Sequence, residues 1–355
     1  MLSVFLGTIL AVNFGPVGAD PARAPQLAAR GPLVVMAFGA GGAIYFSASH
    51  DAGKTFSPAV KVSEAAIVPL NRHRGPRIAI SRNTIVISAV MGQTLSREQH
   101  AHGLPSDGDL VAWRSRDEGR TWSKGAIIND VPGAPTEGLH SLASAENGNL
   151  FAAWLDKRSG KGTKLYGARS TDSGLTWSKN VLIYDSPEGT ICECCHPSVA
   201  MDSTGQIVVM WRNWLDGSRD MYLARSSDGR VFSKPEKLGT GTWKLNACPM
   251  DGGGMAMQHG RVVTAWRRDH EIFLASPGAA EQAIGEGVDV AISSGTKGLY
   301  AVWTTPAGIR AVSPGHSSST LISPTGSFPS VIALPSGSAV AAWEDDGKIS
   351  VATVP

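Results

Sequence analysis

The sequence predicts an all-β protein, a β-propeller of six or seven four-stranded blades, and three observations lead there. A hairpin motif, Ser-x-Asp-x-Gly-x-Thr-Trp/Phe, recurs at Ser49–Phe56, Ser115–Trp122 and Ser170–Trp177, with a copy one residue shorter at Ser226–Phe232. A glycine stands six residues before a tryptophan at Gly148/Trp154, Gly205/Trp211, Gly260/Trp266 and Gly337/Trp343. Successive anchors lie between 37 residues apart (Trp266 to Trp303) and 64 (Val90 to Trp154), which suits blades of roughly 40–50 residues.

In chain order, Leu2 to Val12 is an apolar stretch too short to span a bilayer, followed by Val17-Gly18-Ala19 and Asp20. It reads as a signal peptide over residues 1–19, without a basic n-region, and implies export to the periplasm or the medium. The competing reading is an outer strand that closes the ring. Residues 20–355 then form a single propeller domain, and residues near 20–30 are candidates to close it, because the last unit ends shortly after its third strand. No other segment is apolar enough for a stable membrane span.

The runs ending at Phe38 and Val90 are degenerate copies of the tight turn and buried second strand, and Gly298/Trp303 is a copy one residue shorter. That makes seven strand-pair units. Third strands follow, as in Leu165–Ser170 and Met221–Ser226, with Tyr45, Tyr166 and Tyr222 at one equivalent position. In the hairpin motif, Asp turns its carboxylate onto nearby N–H groups, Gly takes a positive φ, and the aromatic fills the space beneath. The chain has 41 glycines and 21 prolines, with 17% charged residues and a net charge of +2. That balance fits a strand-built body with many turns and gives no electrostatic footprint for nucleic acid. The segment from Gly92 to Asp109 is an insertion able to lid one end, or a plain surface loop.

The hairpin motif resembles the Asp box, or BNR repeat, of sialidase-like β-propellers, in which it is structural and lies away from the active site. The resemblance implies one channel mouth ringed by the lead-ins to the inner strands. It also implies, for an exo-sialidase, three arginines on a substrate carboxylate, an Asp acid/base and a Tyr nucleophile activated by Glu. Arg77, within Arg74-Gly75-Pro76-Arg77-Ile78-Ala79, is the nearest match to the first arginine, without its Arg-Ile-Pro order. Arg212 and Arg267 follow the repeat tryptophan in two blades. These three are the catalytic candidates, and Arg212, Arg267 and His140 the ligand-binding ones, with salt bridges at the blade rim as the plainer reading of the arginines. No tyrosine falls late in the chain at an inner-strand lead-in, so a retaining sialidase mechanism lacks its nucleophile.

Only four cysteines occur, three of them in Cys192-Glu193-Cys194-Cys195-His196-Pro197 and the fourth in Cys248-Pro249-Met250-Asp251. Counted back from each turn glycine, these segments and His140 lead into the inner strands of three adjacent blades. They are therefore expected to converge at the mouth. Two readings stay open. In an exported chain four cysteines form disulfides, for example Cys195–Cys248. Alternatively, Cys192, Cys194, Cys195, His196, Cys248 and Met250 are a donor set for a soft metal, Cu or Zn. Free or redox-active thiols and a covalent haem at Cys192-x-x-Cys195-His196 are lesser alternatives. The leading function is binding of the metal, or of a small molecule, glycan or protein, at the mouth. A sialidase-like glycoside hydrolase with an altered site, and a binding scaffold with structural disulfides, are the alternatives. Whether the protein is an enzyme stays open.

Overall fold

A computed structural model describes residues 20–97 and 103–354, and every regular element among them is a strand. The strands form seven antiparallel sheets, six of four strands and a last one of three. Each sheet runs in chain order from its inner to its outer edge. The inner strands are Ala22–Arg30, Arg77–Ser81, His140–Ser144, Ser198–Met201, Gly254–Gln258, Val288–Gly295 and Ser327–Ala333. Each packs against the next, and the seventh packs against the first, so the sheets are seven blades around one axis.

The repeat residues fall at equivalent places. Second strands such as Leu33–Ala40, Leu150–Asp156 and Ile207–Arg212 are buried along their whole length, which is why they read as continuous apolar runs. Trp154, Trp211, Trp303 and Trp343 are fully buried, and truncating one to alanine is expected to cost about 3–5 kcal/mol. Opposite them on the third strand stand the predicted packing tyrosines, Trp154 with Tyr166 and Trp211 with Tyr222; Phe38 faces Tyr45 in the same way.

The Asp boxes join third to fourth strands in blades 1 to 4. In the first, Asp51 Oδ1 accepts from the Thr55 N–H at 2.8 Å and Oδ2 from the Thr55 hydroxyl at 2.6 Å. Ser49 Oγ accepts from the Gly53 N–H at 2.8 Å. These bonds hold the Asp51 carboxyl down at about 2, the Thr55 hydroxyl contributing most. The glycines have a second task. A Cβ added to Gly119 would lie 2.0 Å from the Phe46 ring, and one on Gly53 2.5 Å from Val340. Each box therefore wedges against the preceding blade, and the first wedges against the seventh.

Residues 20–30 do not act as an outer closing strand. Ala22–Arg30 is the inner strand of blade 1, hairpinned at Gly31 onto the run that ends at Phe38. A buried second strand needs an inner partner, and this segment is the adjacent one. The ring closes by side-to-side packing instead, with the Ala22 N–H donating to Gly347 O at 2.9 Å and the Ala24 N–H to Glu344 Oε1 at 2.8 Å. Residues 1–19, with the expected signal peptide and its alternative, lie outside the described residues. No helix among the described residues is long and apolar enough to cross a membrane.

Candidate functional site

The segment between Val181–Tyr184 and Ser198–Met201 arrives at the mouth without regular structure and is pinned from both sides. The Ile191 N–H donates to Thr163 O at 3.0 Å and the Cys192 N–H to Arg212 O at 3.2 Å. A turn at Glu193–Cys194 then reverses the chain, turning the thiols of Cys192, Cys194 and Cys195 to one side. Their sulfurs lie 3.2 Å (Cys192–Cys195), 3.7 Å (Cys192–Cys194) and 4.0 Å (Cys194–Cys195) apart. All three are buried and the Met250 side chain packs against them. All four cysteines are free thiols, so the Cys195–Cys248 disulfide does not form in this structure.

The surroundings shift the three thiols in opposite directions. Cys192 is drawn well below the ordinary thiol range by the neighbouring thiols of Cys194 and Cys195, with help from Arg212 and Arg219. Cys194 is raised, chiefly by Cys192 and then Cys195, and Cys195 is raised chiefly by burial. Arg74 adds positive charge on the Cys194 side. Cys248 is exposed, and the influence of Cys194 brings it down to about 7.

Blade 5 contributes the opposite wall. Its lead-in carries Met250, at φ +58°, and Asp251, which is buried. Asp251 accepts from the Gly253 N–H at 3.2 Å and, across the blade boundary, from the Asp289 N–H at 2.9 Å. Arg212 is 1% exposed and spends its guanidinium on main-chain carbonyls: Asp251 O at 2.9 Å, Arg219 O at 2.7 Å and Arg267 O at 3.0 Å. Arg267 donates to Pro249 O at 3.0 Å and faces Asp251 at 3.6 Å. Both guanidiniums stand over the Trp243 ring, Arg212 at 5.2 Å and Arg267 at 5.4 Å from its centroid. Arg212 thus ties blade 4 to blade 5, and Arg267 holds the blade 5 lead-in to its own second strand.

Deeper in the channel, Arg77 is buried and donates to Pro76 O and, at 2.5 Å, to His73 O; burial lowers it to about 10. His140 is fully buried with Nε2 3.0 Å from Ser88 Oγ, and burial, then Arg77, hold it neutral at about 3. His140 thus faces blade 2 and does not join the thiols. His196 donates from Nε2 to Gly253 O at 3.1 Å and stacks on His73 at 4.5 Å between ring centroids. Burial drives it well below its usual range.

Of the residues singled out in the sequence, the three clustered cysteines and Met250 come together, and Cys248 adjoins them through Cys194. His196 neighbours them, but its ring points to the blade 5 lead-in. His73 was missed. It carries φ +67°, pairs with Asp289 at 2.8 Å and meets Phe328 edge-on, so the Asn71–Pro76 segment plugs the channel. That segment holds the same repeat position as Cys192–His196, and this register was the available signal. Tyr184 ends a strand and stacks on Trp211 at 4.8 Å, and the Tyr300 hydroxyl donates to Gly337 O at 2.8 Å.

The family model of the BNR repeat-like domain matches residues 43–240. No curated protein matches the sequence. Among solved structures, a protein of unknown function from Dyadobacter fermentans DSM 18053 is 15% identical with a TM-score of 0.55, covering 99% of this chain and 98% of that one. An α-L-arabinanase of Penicillium chrysogenum, in complex with arabinobiose, is 14% identical with a TM-score of 0.56 over 98% and 97%. A leech intramolecular trans-sialidase is 12% identical with a TM-score of 0.56 over 99% and 70%. These likenesses concern the fold.

Proposed function

The chain belongs to the BNR repeat-like family, and we propose that its propeller holds a soft metal ion, Cu(I) or Zn(II), at the channel mouth through Cys192, Cys194 and Cys195. One observation carries this reading: three buried sulfurs 3.2–4.0 Å apart on one short segment. Three thiolates about 2.3 Å from a central ion in a trigonal arrangement sit about 4.0 Å from one another. Two of the three spacings are already close to that. The arginines supply the second support, because thiolates are the ligand form and a buried anionic cluster needs nearby cations. Export, on the strength of residues 1–19, belongs to the same proposal.

The reading is tested by metal content. Protein purified under reducing conditions is incubated with Cu(I) or Zn(II), desalted, and analysed by elemental mass spectrometry. About one ion per chain is expected, and none for a variant with Cys194→Ser and Cys195→Ser. Thiol titration and mass spectrometry of protein isolated without reductant that show two quantitative disulfides and no retained metal would make the cysteines staples.

A sialidase-like hydrolase is the second reading, favoured by the fold shared with the arabinanase and the trans-sialidase. The engagement of Arg77, Arg212 and Arg267 by main-chain carbonyls counts against an arginine clamp. Release of fluorophore from a synthetic sialoside would support it.

A further inference from the structure

Cys248 stands apart from the other thiols in a way that a fourth ligand would not. The triad sulfurs lie within 4.8 Å of one another, and Cys248 is not part of that group. Of the three, Cys194 is the thiol whose interaction with Cys248 most affects it. Exposure falls along the series, from Cys248 at the surface to Cys194 at 7%, Cys195 at 1% and Cys192 at 0%. The four thiols therefore form a series from solvent to interior, in which Cys194, Cys195 and Cys192 are in contact at 4.0 and 3.2 Å.

The donors also distinguish between the two soft metals. Zn(II) sites are built from Cys, His and carboxylates and close at four ligands. Here the side chain packed on the triad is that of Met250, whose donor is a thioether. His196 stands outside the triad: Nε2 donates to Gly253 O, and the buried Nδ1 has no hydrogen-bond partner among the described residues. Three thiolates with a thioether over them select Cu(I).

Resting on the soft-metal reading above, we infer that Cys248 is the exchange ligand through which the triad takes up and gives up Cu(I) carried by an external thiolate. In the uptake step the Cys248 thiol loses its proton to solvent and its sulfur bonds to the incoming copper. The bond from copper to the carrier thiolate then breaks, and that thiolate is reprotonated. Cys194 repeats the step on Cys248, and the ion passes to Cys195 and Cys192. Copper stays Cu(I) throughout and no electrons are transferred.

The test is anaerobic stopped-flow mixing of the full, reduced chain with Cu(I)–glutathione, and of the loaded chain with a Cu(I) chelator. Equilibrium competition against the same chelator, and against Zn(II), accompanies it. Cys248→Ser is expected to slow both uptake and release several-fold while the equilibrium affinity stays at the wild-type value. Cys194→Ser is expected to lose affinity by about 10–100-fold or more. Near-UV circular dichroism of the Cys248→Ser protein should match wild type, since the residue is exposed. Unchanged rates in Cys248→Ser, or an affinity loss equal to that of Cys194→Ser, would overturn the exchange role. A wild-type preference for Zn(II) would overturn the choice of metal while leaving the soft-metal site standing. Uptake of neither ion would overturn both.

Discussion

Burial and a few neighbouring groups shift chemically identical thiols in this mouth in opposite directions. Cys192 is the thiol best prepared to be an anion, because two thiols and two arginines face it. Arg219, which stacks on Trp214 at 5.0 Å, is the arginine whose side chain can be changed with least damage, since that side chain donates only a long 3.5 Å contact to Leu245 O and its other bonds are made by the main chain. Arg219→Gln is expected to move the pH midpoint of cysteine alkylation upward by about one unit, because removing a cation disfavours the thiolate. Alkylation rates against pH on the metal-free, reduced protein check this. His140 makes a second prediction. Its folded value is about 3 against 6.5 for the free side chain, so the unfolded chain takes up a proton that the folded chain refuses. The stability it contributes is complete above about pH 6.5 and is lost as pH falls toward 3; at pH 5 the loss is about 2 kcal/mol. Urea unfolding at pH 7 and pH 5 should show a difference smaller by that amount in His140→Gln. An unchanged difference would mean that His140 is protonated in the native state.

At the scale of the element, the Asp-box hairpin combines a local device with a long-range one. Asp117 and Ser115 close their turn as Asp51 and Ser49 do, while Gly119 at φ +89° abuts the Phe46 ring of the preceding blade. Gly119→Ala adds a Cβ 2.0 Å from that ring and a φ that alanine disfavours. It is expected to destabilise by about 2 kcal/mol or more, read as a lower urea midpoint, whereas Gly278→Ala, open around its Cβ, bears only the φ penalty. The hairpins were legible in the sequence because their bonds are local. Their wedging was not, because nothing in Ser115–Trp122 names Phe46. The second strands were legible for a similar reason, since a strand buried on both faces is apolar throughout. The lead-ins had no such pattern. His73 and Asp251 gain their positions from contacts with Asp289, two or more blades distant from His73, and only the repeat register hints at them.

For the whole molecule, closure around one axis turns distance along the chain into adjacency. The blade 4 and blade 5 lead-ins that carry the four cysteines converge because inner strands in sequence are neighbours in space. The same closure brings Ala24 against Glu344. Seven units counted in the sequence became seven blades, but the role of residues 20–30 was misassigned, since a first inner strand and a last outer strand look alike in isolation. The mouth that results has sulfur donors on two rigid walls and arginines behind them. X-ray absorption at the copper edge, on protein loaded anaerobically with one equivalent of Cu(I), tests the account most directly. The expected shell is sulfur only, with three thiolates at about 2.3 Å, and it disappears in Cys192→Ser with Cys195→Ser. A shell of nitrogen or oxygen donors, or a spectrum unchanged in that variant, would contradict a thiolate site at the propeller mouth.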